Sequence, residues 1–262
     1  MNILVVGCSM TYGAGLKNAS LDKNLWANKL FKDVFGNDVS ITNGSKIGKN
    51  NHWIFLETMN YLVNNTYDLI VVAWSAIPRY DFHVDLELYS THTMLNNKIP
   101  INTNRFGKTS PKQLTNTGNQ LRKIHNDHWD ILNLIKYINI LVNSSQGKRI
   151  VFVNTLMEFS NDYFTHKDIF LPSELSKYER NLLNSINRND KEVILLYNKI
   201  HKQYKMYGGI HEKVWLNLYD SLHSMQIDTS SDNAHPGYKS QKIYVQELKS
   251  QLISVVSKFR KN

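Results

Sequence analysis

The chain has 262 residues, 42% hydrophobic and 20% charged, the balance of an ordinary globular protein long enough to bury one sizeable core. Its longest apolar runs, Ile3–Val6 and Leu69–Trp74, are too short to span a bilayer, and a single cysteine excludes an internal disulfide. The net charge of +9 attracts polyanions in general, but the basic residues are scattered, with only short clusters such as Lys148-Arg149 and Lys258-Phe259-Arg260-Lys261. A solvated basic surface is therefore the expectation, and nucleic acid the lesser reading.

Apolar β-type runs alternate with helical stretches, which predicts an α/β protein with a mostly parallel sheet. The chain opens on the first strand, 2–6, with no basic leader ahead of it. A cytoplasmic protein, without signal peptide or membrane span, is expected. A helix follows at about 24–34, with Leu25, Trp26, Leu30 and Phe31 on one face, then a strand at 38–42. The helix at about 51–63 turns Ile54, Phe55, Met59 and Leu62 inward and leads to a strand at 68–74. A long helix at about 127–143 repeats Ile131, Leu134, Ile135, Ile138 and Leu141 at helical spacing, before a strand at 149–154. Residues 80–126 lack clear periodicity, and 158–230 are mixed, with a helical piece near 173–206. Both stretches read as insertions into one domain spanning 1–262, serving as a lid, a substrate-selecting wall or a docking surface. An amphipathic helix with Ile243, Val245, Leu248 and Leu252 closes the chain.

Two short motifs carry chemistry. Gly7-Cys8-Ser9-Met10-Thr11-Tyr12-Gly13 follows the first strand directly and places a hydroxyl on a strand-to-helix turn. Asp232-Asn233-Ala234-His235-Pro236-Gly237 supplies an imidazole with a carboxylate three residues before it. A serine hydroxyl needs a base to take its proton, and an imidazole needs a carboxylate to orient it. Alone, the first motif reads equally as a helix cap or a phosphate cradle, although it lacks the Gly-Lys-[Ser/Thr] ending of a P-loop.

The pair, in the order Ser, Asp, His, resembles the SGNH/GDSL hydrolase superfamily, whose first block is G-D-S-x-[ST]-x-G and whose last is D-x-x-H-P. Cys8 stands where that family usually has Asp, a residue that is not the triad acid. Asn43-Gly44-Ser45-Lys46-Ile47-Gly48-Lys49-Asn50-Asn51 is similar to the family's second block. The third block departs from its G-x-N-D norm. Here Trp74-Ser75-Ala76-Ile77-Pro78-Arg79 follows the third strand, a W-S-x-x-x-R variant associated with phage-type members.

The resemblance implies a flavodoxin-like, three-layer α/β/α sandwich and a serine esterase needing no cofactor or metal. Ser9 is then the nucleophile, His235 the general base and Asp232 its orienting acid. The N–H groups of Ser9 and Gly48 serve the oxyanion hole, with Ser75 or Asn51 in place of the missing Asn. Arg79 either holds a substrate carboxylate or phosphate or pairs with Asp81 or Asp85. Trp74 is a candidate for an apolar wall of the substrate site, although a core tryptophan at a strand end is the favoured reading. The implied partner is a small-molecule or glycan acyl ester, an O-acetyl sugar by preference. Two alternatives remain open: a weakly catalytic binding or virion-associated protein, and an acyltransferase using the same triad. Cys8 is expected to point away from Ser9 as a small apolar residue. His125-Asn126-Asp127-His128 has no convincing third ligand and reads as a helix start rather than a metal site.

Overall fold

The central sheet places Ser40–Asn43, Asn2–Val6, Leu69–Trp74, Arg149–Asn154 and Trp215–Leu216 side by side in that order, with every pairing parallel. The computed structural model describes residues 1–64, 66–75, 79–84, 87–92, 127–145, 149–156, 215–216 and 221–259. For 79–84, 87–92, 127–132, 135 and 258–259 it describes the backbone alone. The strands are β1 Asn2–Val6, β2 Ser40–Asn43, β3 Leu69–Trp74, β6 Arg149–Asn154 and β7 Trp215–Leu216. The central strands read as unbroken apolar runs because both faces are covered, and all six residues of β3 are buried.

The helices are α1 Ser9–Tyr12, α2 Trp26–Phe35, α3 Asn51–Asn64, α4 Asp127–Ser144 and α5 Tyr238–Phe259. Helix α2 packs on α5, and α3 packs on α4. The path from β1 to β2 runs one way across the sheet, and the path through α3 to β3 runs back. Right-handed crossovers therefore put the two helix pairs on opposite faces, completing three layers. Trp26 and Tyr244 join α2 to α5 edge-to-face, with ring centroids 5.5 Å apart. The Gln241 side chain of α5 accepts the Trp26 N–H at 2.9 Å, satisfying a donor at the start of α2 that the helix itself leaves unpaired.

Every strand and helix expected up to residue 154 is present to within about two residues at each end. Three strands are additional. Trp215–Leu216, inside a stretch read as an insertion, adds the fifth strand beside β6. An antiparallel hairpin of β4 Arg79–Val84 and β5 Glu87–His92 follows β3. The remainder of both stretches, with the helical piece near 173–206, lies outside the described residues. Strand order reverses between β1 and β3, and sheets of this kind bind ligands outside the strand C-termini at such a point.

Candidate active site

The first site segment leaves β1 at that reversal. Gly7 is required by close packing: a Cβ there would lie 2.3 Å from Thr11 Oγ1 and 3.0 Å from the Ala73 Cβ on β3. Cys8, in extended conformation, precedes α1, and Ser9 is the first residue of that short helix, with its side chain largely buried. Gly13 ends the helix at φ +81°, and the N–H groups of Gly13 and Ala14 both donate to the Ser9 carbonyl at 3.0 Å. Cys8 is fully buried in the core, with Sγ 3.6 Å from the Thr155 hydroxyl.

The second segment is a closed loop before α5. At its base, Asp228 caps the helix, accepting the N–H groups of Lys239 at 3.0 Å and Ser240 at 2.8 Å and the Ser240 hydroxyl. Thr229 and Pro236 bridge across the loop, and the Ser230 N–H donates to the His235 carbonyl at 2.7 Å. At the tip Asn233 takes the left-handed conformation, φ +57°, which Asn tolerates better than most residues.

This geometry makes the Asp232 carboxylate the hub of the loop. One carboxylate oxygen accepts the N–H groups of Ala234 and His235, each at 3.0 Å, and the Ser230 hydroxyl at 2.8 Å. The other lies 2.7 Å from His235 Nδ1. Desolvation works to raise the Asp232 carboxyl, but these four hydrogen bonds outweigh it and hold the group well below the usual carboxylate range. A carboxylate at Nδ1 selects the Nδ1–H tautomer and leaves a lone pair on Nε2.

The loop is fastened to the segment that follows the serine turn. Ser231 donates to the Gly15 carbonyl through its N–H at 3.2 Å and its hydroxyl at 2.7 Å, and the Ser230 hydroxyl lies 3.4 Å from the Ala14 carbonyl. Gly15 has φ +76°, and a Cβ on it would sit 2.1 Å from Ser230 Oγ and 2.8 Å from Asp232 Cγ. Sequence reasoning passed over Gly15, Ser230 and Ser231. The visible signals were the second glycine in Gly13-Ala14-Gly15 and the serine pair just before Asp232.

The third segment follows β2. The Gly44 N–H donates to the Val5 carbonyl at 2.9 Å and the Lys46 N–H to the Gly7 carbonyl at 3.3 Å, so this loop runs beside the end of β1. Gly48 adopts φ +76°. Asn50 caps α3, its side chain accepting the Trp53 N–H at 2.8 Å. Asn51 clamps the end of β3: its amide donates to the Ser75 carbonyl at 3.0 Å and accepts the Ser75 N–H at 2.8 Å. The Ser75 hydroxyl is buried and, among the described residues, has no hydrogen-bond partner.

Of the two readings of Trp74, its burial favours the core. The residue is fully buried and stacks on Phe152 at 5.8 Å, because it ends a strand covered on both faces, so it is a core residue rather than a substrate wall. The Arg79 side chain, and residues 125–126 of the His125–His128 stretch, lie outside the described residues; Asp127 opens α4.

No protein-family model matches the chain, and no curated protein matches it. Among solved structures it is similar to TesA, at 12% identity over 97% of this chain and 99% of that one, with a TM-score of 0.45. It is also similar to the psychrotrophic esterase EstA from Pseudoalteromonas sp., at 13% identity over 100% and 99% of the two chains, with a TM-score of 0.44. A carbohydrate acetylesterase family member from Sinorhizobium meliloti aligns at 12% identity over 98% and 99%, also with a TM-score of 0.44.

Proposed function

We propose that the protein is a serine-dependent ester hydrolase removing a short acyl group, with an O-acetylated carbohydrate as the preferred substrate class. The observation that carries this reading is the 2.7 Å Asp232–His235 pair on a loop fastened to the residues just after the Ser9 turn. In this reading Ser9 Oγ attacks the ester carbonyl while His235 Nε2 takes its proton. Asp232, already a carboxylate at neutral pH, stabilises the imidazolium that forms. His235 then returns the proton to the leaving alcohol, and water hydrolyses the acyl-serine by the same route.

The oxyanion is held by the N–H groups of Ser9 and Gly48. Of the two candidates for the third donor, Ser75 is favoured: its hydroxyl is unengaged among the described residues, whereas the Asn51 amide is committed to the Ser75 backbone. Asn51 is then a positioning residue. Losing one oxyanion donor costs roughly 10²–10³ in rate, so the exchange of Asn for Ser here bears on efficiency.

The test is labelling with a fluorophosphonate serine probe, with the adduct located by mass spectrometry. The expected result is a single adduct on Ser9, absent from Ser9→Ala and suppressed in His235→Ala. A folded wild-type protein that takes no label would refute the hydrolase reading and leave a scaffold that binds without cutting.

A further inference from the structure

Strand β2 ends on a side chain that the proposed chemistry does not use. The Asn43 amide donates through Nδ2 to the Thr11 carbonyl at 2.9 Å, and its Oδ1 accepts the Ser45 N–H at 3.0 Å. Thr11 lies in α1, two residues after Ser9. Ser45 belongs to the loop that runs on to Gly48. One side chain therefore joins the segment carrying the proposed nucleophile to the segment carrying the second proposed oxyanion donor.

An amide suits that place because it donates and accepts at once, where a carboxylate only accepts. Both backbone groups need such a partner. Helix α1 has only four residues, so its last carbonyls meet no N–H within the helix. On the loop side, the N–H groups of Gly44 and Lys46 donate to the carbonyls of Val5 and Gly7, and that of Ser45, between them, is taken up by Asn43. The Gly44 and Lys46 bonds hold the loop to residues before Ser9, and the Asn43 amide holds it to a residue after Ser9. The serine turn is thus gripped on both sides.

We infer that Asn43 is a positioning residue of the proposed hydrolase, fixing the spacing between the Ser9 turn and the Gly48 loop so that their N–H groups serve one oxyanion. The inference rests on the hydrolase reading for the oxyanion, whereas the tie between the two segments stands apart from any activity.

The experiment compares the wild-type protein with Asn43→Ala, Asn43→Asp and a control, Asn28→Ala. Asn28 is a half-buried asparagine on α2 whose amide donates to the Ser20 and Asp22 carbonyls, each at 2.9 Å. On a chromogenic acetyl ester, Asn43→Ala is expected to lower kcat roughly 10- to 100-fold, with KM within about twofold of wild type. The inhibition constant of a trifluoromethyl ketone, which forms the tetrahedral adduct, is expected to rise by the same factor. Asn43→Asp keeps the acceptor for Ser45 but not the donor for Thr11, and is expected to be as impaired as Asn43→Ala. Asn28→Ala is expected to lose as much in Tm and to keep its kcat. Equal kcat losses in Asn43→Ala and Asn28→Ala, or kcat retained in either Asn43 variant, overturn the inference.

Hydrogen exchange supplies a readout that needs no turnover. Peptides covering 8–16 and 43–50 are expected to exchange about tenfold faster in Asn43→Ala, with α5 unchanged. Unaltered exchange in both segments overturns the tie even where activity falls. A wild-type protein that neither turns over esters nor takes the fluorophosphonate label refutes the hydrolase reading and the oxyanion role with it, and the exchange result then decides the tie alone.

Discussion

Gly15 offers a demanding check on how the site is assembled, because the molecule contains its own control. Both Gly15 and Gly36 have positive φ, +76° and +86°, a backbone that L side chains rarely adopt, so alanine at either position carries backbone strain of about 1–3 kcal/mol. Around Gly36 nothing lies within 4 Å, and the strain is the whole effect. At Gly15 the new methyl would stand 2.1 Å from Ser230 Oγ, which must retreat by about 1.3 Å to reach an ordinary contact of 3.4 Å. That movement pulls Ser230 from Asp232, and Asp232 itself is only 2.8 Å from the added carbon. On the proposed hydrolase reading, a displacement near 1 Å of the Asp232–His235 pair costs about 10²-fold in rate.

The assay is kcat/KM on a chromogenic acetyl ester alongside thermal melts. Gly36→Ala is expected to lower Tm by roughly 2–12 °C and leave activity unchanged. Gly15→Ala is expected to lower Tm further and to reduce kcat/KM by about 100-fold. Equal activity in the two variants would refute the claim that the Gly15 contact holds the Asp232–His235 loop in register.

Acid stability follows from two carboxylates. Desolvation opposes both, yet hydrogen bonds hold Asp232 and Asp228 below their usual value of 3.8 in the folded protein. A depressed folded value means that the stabilisation is complete above the unfolded value and is lost as pH falls through it and on toward the folded one. Tm is thus expected to be level above about pH 5 and to fall steadily below about pH 4, with a shallower acid limb in Asp232→Asn and in Asp228→Asn. An acid limb of unchanged steepness in both variants would count against the hydrogen-bonded hub and cap. Asn51→Ala strands the N–H and carbonyl of buried Ser75, at a cost of about 2–4 kcal/mol read as a lower denaturation midpoint. Asn51→Asp is expected to fare no better, since a carboxylate cannot donate to the Ser75 carbonyl; an unchanged midpoint in either variant contradicts the clamp.

Much of this protein is legible in its sequence because the signals are local. A strand buried on both faces, such as Leu69–Trp74, must be apolar throughout, and a helix such as 51–64 must repeat its apolar residues at a period of 3.6. The Asp232–His235 pair was legible for the same reason: three residues on a tight loop suffice to bring a carboxylate to an imidazole. Other features needed the fold. A two-residue strand such as Trp215–Leu216 is too short to show any period, and exists through its pairing with β6. Trp74 looks the same in sequence whether it faces a substrate or the core, and Phe152 across the sheet decides it.

The closest approaches are likewise invisible to a reading along the chain. Gly15 meets Ser230 and Asp232, Gln241 satisfies the start of α2, and Asn51 holds the end of β3, each across a wide sequence separation. Composition, periodicity and short motifs determine which elements form and which side chains carry chemistry, since those depend on neighbours in the chain. Which carbonyl meets which donor, and which glycine leaves room for which loop, depends on how the layers pack, and only the tertiary structure decides that.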